Sequence, residues 1–484
     1  MIITVVAIYL GLVIVVGVLG HRLFRETGED YFVASRSIGP FVLLMTLLGT
    51  NLTAFTMLGA SGEAYRRGVV VFGLMGASSS IIIPFLFYYL GTKSWWLGKR
   101  FSYVTQIQLI RDRYGSSSLG TLLFVVVVLL MLPYILIGVK GGGDALAAIT
   151  RGGWPGWAGS LLVCSVTFLY VTYGGMRSTA WANTFQTSVF VIVGLVAYLV
   201  IMDRYGGIGQ AMTTLRSTSR ELVVFGRGQY ITLKMLSYLL LPISVAAFPH
   251  IYGHWLSART ARSFRTPIVL YPLCIAAVWV PSVTLGMVGR IDFTGPLNGP
   301  ILVELILAHT GGVLAGCLAA GVFAAIMSSL DSQTLALGAM FTEDIVRFYG
   351  FDDQLSEKQQ VLFGRIFVVA FLVLAFVTSL FTTRSIFELG AWSLTGFSGL
   401  VPVFVGVLYW KRSTKQGAAA AILTVIGLWI FFYASSLGVE GAYSVGGTGL
   451  IPVGVILPAS TLMLIVVSLA TTPPEDTDRF FPGQ

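Results

Sequence analysis

Residues 311–341 read GGVLAGCLAAGVFAAIMSSLDSQTLALGAMF, a run whose single charged residue is Asp331. An apolar helix of this length crosses about 30 Å of hydrocarbon, which makes the chain an α-helical membrane protein before anything else is read. Ser328, Ser329, Asp331 and Ser332 nevertheless interrupt the run. At 3.6 residues per turn, Asp331, Ser332, Ala325 and Ser329 fall at roughly −60°, 40°, 60° and 100° from Ser328, within one face about 160° wide. An ionisable group turned to hydrocarbon costs several kcal/mol, so this face must look at protein or water. Ser328 and Ser329, with the Ala325 carbonyl one turn earlier, offer three neutral oxygens at one spot. Such oxygens suit a weakly held monovalent cation, whereas multivalent hard cations recruit carboxylates and soft metals recruit His or Cys. The plainer reading is that small hydroxyl residues let helices pack closely.

The rest of the chain agrees on class. Of 484 residues, 56% are hydrophobic and 11% charged, with a mean hydropathy of +0.85, where soluble domains run about 45–50% apolar and about 25% charged. The net charge of +9 comes without a basic patch interleaved with aromatics, and membrane proteins collect Lys and Arg in cytoplasmic connections, so nucleic acid is not an expected partner. Cys164, Cys274 and Cys317 all fall in apolar runs, which argues against a disulfide framework. Ile2 to Gly20 lacks a basic start and a small-residue cleavage pattern, and is read as a retained span.

Apolar runs between charged or Gly/Pro-rich breaks predict spans near 2–20, 39–63, 68–91, 119–150, 155–173, 180–202, 232–250, 267–289, 301–342, 362–382, 386–410, 416–436 and 449–470. Lys93, Lys99, Arg100, Arg111 and Arg113 cluster in the 92–118 connection, which predicts the N-terminus outside and the C-terminus in the cytoplasm. Two spans look interrupted: LLGTNLTAFT at 47–56 and LLLPISVAAFPH at 239–250, with Pro242 and Pro249. Breaks in corresponding spans of two halves point to an inverted-repeat transporter, because unwound backbone survives at mid-membrane only where it lines a cavity or holds an ion.

Four stretches, AAIMSSLDSQTLALGAMFTEDIVR, TLLGTNLTAFTMLGASGEAYRRG, VTYGGMRSTAWANTFQT and FPHIYGHWLSAR, resemble the signatures of the solute:sodium symporter family, over nearly the whole chain. The resemblance implies about thirteen transmembrane helices in a single domain. These are a leading helix and loop at 1–38, a five-plus-five inverted-repeat (LeuT-type) core at 39–202 and 232–410, and two further helices with a short cytoplasmic tail at 411–484. It implies sodium as the coupling ion, held by Gly49, Leu52, Ala325, Ser328 and Ser329. Some members bind a second sodium with an Asp in the fifth core helix. This chain reads WANTFQT there, so Asn183 stands in place of the carboxylate, and a second ion would fall near Asn183, Asp331 and Ser332. LTAFTMLGASGEAY and VTQIQLIRDRYGS look closest to bacterial permeases for short monocarboxylates. Those relatives commonly carry Gln in the fourth span, where Gly138 here would widen or reshape the pocket.

A half-helix beginning at mid-membrane favours a solute carboxylate at its N-terminal end. Solute candidates are therefore Asn51, Thr53 and Thr56 at the first break, with Tyr134, Phe248 and the intramembrane cation Lys140. Lys140 has Asp144 one turn on, and the two would alternatively neutralise each other. His250 and His254, spaced i, i+4 beside Arg259, lack a third metal ligand, and no transition metal is expected. Zinc-binding HExxH and a Gly-rich phosphate loop are both missing from the sequence, so enzyme function is not expected. The expectation is a bacterial inner-membrane importer of a small organic solute, driven by sodium and surrounded by membrane lipid. Proton coupling through Asp331, or a transport-like sensor, is the alternative.

Overall fold

The computed structural model describes residues 1–21, 28–224, 233–295, 297–350, 356–439, 443–475 and 477–481. The connection at 22–27 and the expected start of the second repeat at 232 lie outside the described residues. Among those residues the elements are all helical, with one isolated parallel bridge between Ile38 and Ala258. Nine helices are long and apolar enough to cross a membrane, and two bent pairs raise that to eleven. The other two expected spans are helical but fail that measure. The one near 68–91 is divided by π-helical turns at Phe72–Gly76 and Phe87–Gly91, and the one near 155–173 reduces to the shorter apolar stretch Gly156–Leu169.

Both interruptions read from the sequence are real. Pro40–Asn51 and Phe55–Arg67 meet at 52°, as do Leu233–Ala247 and Pro249–Ser257. The causes differ. At the first, Leu52 leaves the helix with φ −88° and ψ 82°, and the Thr53 hydroxyl accepts from the Phe55 N–H at 3.0 Å, starting the second half-helix. At the second, Pro249 has no N–H to donate and its ring pushes Phe248 to extended backbone (φ −69°, ψ 123°). The two broken helices are tied together at one end of the bundle. Ile38 N–H donates to Ser257 O at 3.0 Å, Arg259 N–H to Ile38 O at 2.9 Å, and the Arg36 guanidinium to Leu256 O at 3.2 Å and Tyr103 O at 2.8 Å.

One expected span is corrected. Residues 301–342 form two helices, Ile301–His309 and Gly312–Phe341, because Thr310 is extended (φ −126°, ψ 156°) and Gly312 takes φ +58°, a left-handed conformation that favours glycine. Gly312–Phe341 then stands among Ile2–His21, Ser117–Ile149, Gly156–Arg204 and the half-helix Pro40–Asn51. We call it the scaffold helix. Inside Gly156–Arg204, Gly175 (φ 58°, ψ −164°) separates the two spans that the sequence places there.

The second half-helix of the first break packs backbone to backbone on the helix Arg265–Asp292. A Cβ on Gly286 would lie 2.2 Å from Ser61 O, and backbone cannot move aside as a flexible side chain does. Gly286→Ala is therefore expected to destabilise by about 1–3 kcal/mol. Gly11→Ala, with nothing within 4 Å, is expected to leave stability unchanged or slightly raised. Thermal unfolding of the two variants in detergent checks the pair.

Candidate ion and solute site

The scaffold helix meets the broken helix through Ser328. Its hydroxyl reaches Gly49 O at 3.0 Å and Ala325 O at 3.3 Å, and the side chain is fully buried. The last carbonyls of a helix have no partner within it, so the end of Pro40–Asn51 presents oxygen here as a consequence of the break. Ser329, also buried, turns its hydroxyl to Ile326 O at 3.0 Å. Leu52 lies at the break itself and is 1% exposed. Gly49 is required by space: an added Cβ would sit 2.0 Å from Thr187 Oγ1, and that hydroxyl is fixed by Met45 O at 3.0 Å. Gly49, Ala325 and Ser328 are thus brought into one chain of contacts made only of neutral oxygens.

Asn183 and Ser332 belong to a neighbouring knot. The Asn183 amide donates to Ser332 Oγ at 2.8 Å and to Thr50 Oγ1 at 3.2 Å. Thr50 and Ser332 hydroxyls are 2.8 Å apart, and His254 Nε2 lies 2.9 Å from Ser332 and 3.2 Å from Thr50. All four side chains are buried. Asp331, one residue before Ser332 on the scaffold helix, is fully buried. Of the three residues expected to share a second ion, Asn183 and Ser332 touch each other, and Asp331 is buried one position before Ser332 on the scaffold helix.

His250 and His254 are both 1% exposed, inside the bundle and not at a solvent-facing end. His250 is stacked with Tyr134 and Phe248, with ring centroids at 5.3 and 4.8 Å. Among the described residues no three His, Cys, Asp or Glu side chains converge as a metal group would require. Sequence reasoning missed Thr50, Thr187 and His254; a His one turn into a half-helix that restarts after a break was the signal for the last.

Asn51, Leu52, Thr53, Thr56 and Tyr134 line a common cavity at the first break, together with Trp279. Its volume is about 30 Å³, where one water needs about 10–15 Å³, so a solute fits only when the surrounding helices move. Asn51 donates to the Tyr271 hydroxyl at 2.8 Å. Phe248 stands one ring behind Tyr134, their centroids 4.7 Å apart. Lys140 is not with them: its ammonium lies 3.1 Å from Asp144 in a separate cavity. The glycines that follow Gly138 let helices approach closely. A Cβ on Gly138 would make ordinary 3.7 Å contact with Leu330, while one on Gly141 would meet Ala54 at 3.0 Å and one on Gly142 would meet Val163 at 2.5 Å.

A family model described as the Sodium:solute symporter family matches residues 31–425. The chain belongs to the sodium:solute symporter family. Among curated relatives of this family member, the osmoregulated proline transporter of Bacillus subtilis (strain 168) is 24% identical over 94% of this chain and 92% of its own length. The sodium/pantothenate symporter of Escherichia coli (strain K12) is 26% identical over 85% and 86%. Among solved structures, the substrate-bound outward-open state of a Na+-coupled sialic acid symporter superposes with a TM-score of 0.80, covering 98% of both chains at 16% identity. That likeness gives this symporter-family chain its fold, an inverted-repeat core with paired broken helices in an integral membrane protein. The family and its curated relatives are transporters.

Proposed function

We propose that this protein imports a small organic solute bearing a carboxylate, of the short-monocarboxylate class, across a bacterial plasma membrane together with sodium. The observation that carries the reading is the 3.0 Å contact of Ser328 Oγ with Gly49 O, which joins the scaffold helix to the broken helix through neutral oxygens. Sodium held by Gly49, Leu52, Ala325, Ser328 and Ser329 would stabilise the arrangement in which those helices are joined. The solute would then complete closure at Asn51, Thr53, Thr56 and Tyr134. The half-helix Phe55–Arg67 starts at that cavity and directs the partial positive end of its dipole into it, which suits a carboxylate. Proline and pantothenate, named for the relatives, both carry a carboxylate. With the N-terminus outside, a membrane potential adds about 2.3 kcal/mol per sodium per 100 mV.

The Thr50–Asn183–Ser332–His254 knot supports a stoichiometry of one sodium. Its hydroxyls already receive an amide donor and an imidazole, and it contains no carboxylate. Sodium activation of uptake is expected to follow a Hill coefficient near 1, both in the native chain and in Asn183→Ala. A native value approaching 2 that falls to 1 in Asn183→Ala contradicts this.

The experiment for coupling uses proteoliposomes given an inward sodium gradient or, in separate vesicles free of sodium, an inward proton gradient. Concentrative uptake of L-lactate, pyruvate or pantothenate is expected with sodium alone. Asp331, buried on the scaffold helix, is the residue on which proton coupling would depend. Uptake driven by the proton gradient and abolished by Asp331→Asn would replace the sodium reading.

A further inference from the structure

Ser117–Ile149 reaches two cavities at opposite ends. Ser117 borders one of about 550 Å³, and Lys140, Asp144 and Ala147 border another of about 570 Å³. With twenty-odd residues between them, the two lie roughly 35 Å apart along the helix. The Lys140 cavity is lined by three cations, Lys140, Arg66 and Arg384, and by one anion, Asp144. Glu63 does not cancel that excess, because it is shared by Arg66 at 3.2 Å and Arg67 at 2.5 Å. Arg384 is held in place by Ser436, through the carbonyl at 2.9 Å and the hydroxyl at 2.8 Å.

The Lys140–Asp144 pair is half-exposed, with side chains 22% and 36% accessible. Pairs of this kind contribute little net stability, and their partners exchange readily. The floor of the cavity includes Leu58 and Gly59, which belong to the half-helix that also carries Thr56. Phe387 lines the large cavity, Phe55 lines the small one, and their rings stack at 5.0 Å.

We propose that this cavity is a capture site for the carboxylate of a net-negative solute, in which Lys140 exchanges Asp144 for the solute before the Phe55–Phe387 stack parts. The proposal rests on the sodium-coupled carboxylate reading and narrows it. A monoanion gains from the excess positive charge, while a zwitterion, whose two charges nearly cancel, does not. Charge bias along the chain places this end outside, so the site would act on uptake. Attraction of this kind is screened by salt.

The test compares initial rates of sodium-driven uptake of L-lactate and pantothenate, both anions, with L-proline, a zwitterion, in proteoliposomes holding the full chain. At least one anion is expected to saturate, with a KM that rises with ionic strength set by choline chloride. In Lys140→Gln that KM is expected to rise about tenfold with kcat little changed and with its salt dependence weakened. Lys140→Arg keeps the charge and is expected to retain the native KM, and Asp144→Asn to lower it. Saturable uptake of proline with neither anion transported, or an anion KM unmoved in Lys140→Gln, overturns the proposal. Sodium-dependent thermal stabilisation, read on the same preparations, keeps the failures distinct. If it persists in the native chain and in Lys140→Gln, the fold and the sodium reading stand while the capture site falls. Its loss from the native chain removes the coupling reading itself.

Discussion

Ser328→Ala is expected to raise the sodium concentration for half-maximal uptake by roughly 10- to 150-fold, the equivalent of about 1.5–3 kcal/mol for a lost contact to a charged group. The reason is geometric. The Ser328 hydroxyl is the only side-chain group among the described residues that reaches Gly49 O, at 3.0 Å, and it also reaches Ala325 O at 3.3 Å. Without it, the Gly49 carbonyl loses its link to the scaffold helix, leaving the Thr50–Ser332 contact at 2.8 Å, and a sodium ion loses one of five proposed ligands. The solute KM measured at saturating sodium is expected to move far less, because Thr53 and Thr56 lie beyond the break and the Asn51 amide turns to the Tyr271 hydroxyl. Asp331→Asn supplies the contrast: Asp331 is not one of the five proposed sodium ligands, and its sodium dependence is expected to stay near the native value. Uptake titrated with sodium at fixed ionic strength measures both. Equal sodium dependence in Ser328→Ala and the native chain would remove Ser328 from the ion site.

The second large effect is expected at Gly49. A Cβ there would meet Thr187 Oγ1 at 2.0 Å and Thr187 Cβ at 3.3 Å, with Ser328 Cβ at 3.5 Å. Thr187 is β-branched and held by Met45 O, so it cannot turn away at low cost. Gly49→Ala therefore forces the half-helix off its neighbour, with an overpacking cost of about 1–3 kcal/mol. It also shifts the Gly49 carbonyl itself. Uptake is expected to fall to background, whereas Thr187→Ala alone keeps most of it. The double variant Gly49→Ala/Thr187→Ala removes the clashing hydroxyl and is expected to recover both melting temperature and uptake, a coupling that two independent defects would not show. Failure of the double variant to recover either quantity would mean that the backbone at Gly49, and not its packing on Thr187, sets the requirement.

Both breaks were legible because their causes are local: Pro249 excludes helix at Phe248, and the Gly-Thr-Asn-Leu-Thr run weakens the helix at 49–53. The face carrying Ser328, Ser329 and Ser332 was legible for the same reason, since a 3.6-residue period needs no tertiary knowledge. What the sequence hid depends on which helices become neighbours. Thr187 backs Gly49 from 138 positions along the chain, and His254 reaches Ser332 from 78. Neither spacing follows a helical period. The partners of Ser332 were hidden for a related reason: the polar face is broad, and only packing reveals that Ser332 meets Thr50, Asn183 and His254. Lys140 was legible as an intramembrane cation, but not its separation from Asn51, Thr53 and Thr56: its position far along Ser117–Ile149 puts it in the large cavity and not the small one. The split at Thr310–Gly311 carries a local signal in His309-Thr310-Gly311-Gly312, but hydropathy averaged over the apolar runs on either side hides so short a break.

Thermal unfolding of the purified full chain in sodium against potassium, at matched ionic strength, tests the sodium site without knowledge of the solute. A ligand that binds the folded state alone stabilises it by RT ln(1 + [L]/Kd), about 2.7 kcal/mol at a hundredfold excess over Kd. The account predicts a sodium-specific rise in melting temperature for the native chain that is absent from Ser329→Ala. An identical melting temperature in the two salts for the native chain, or a sodium-specific rise that Ser329→Ala retains in full, would contradict it.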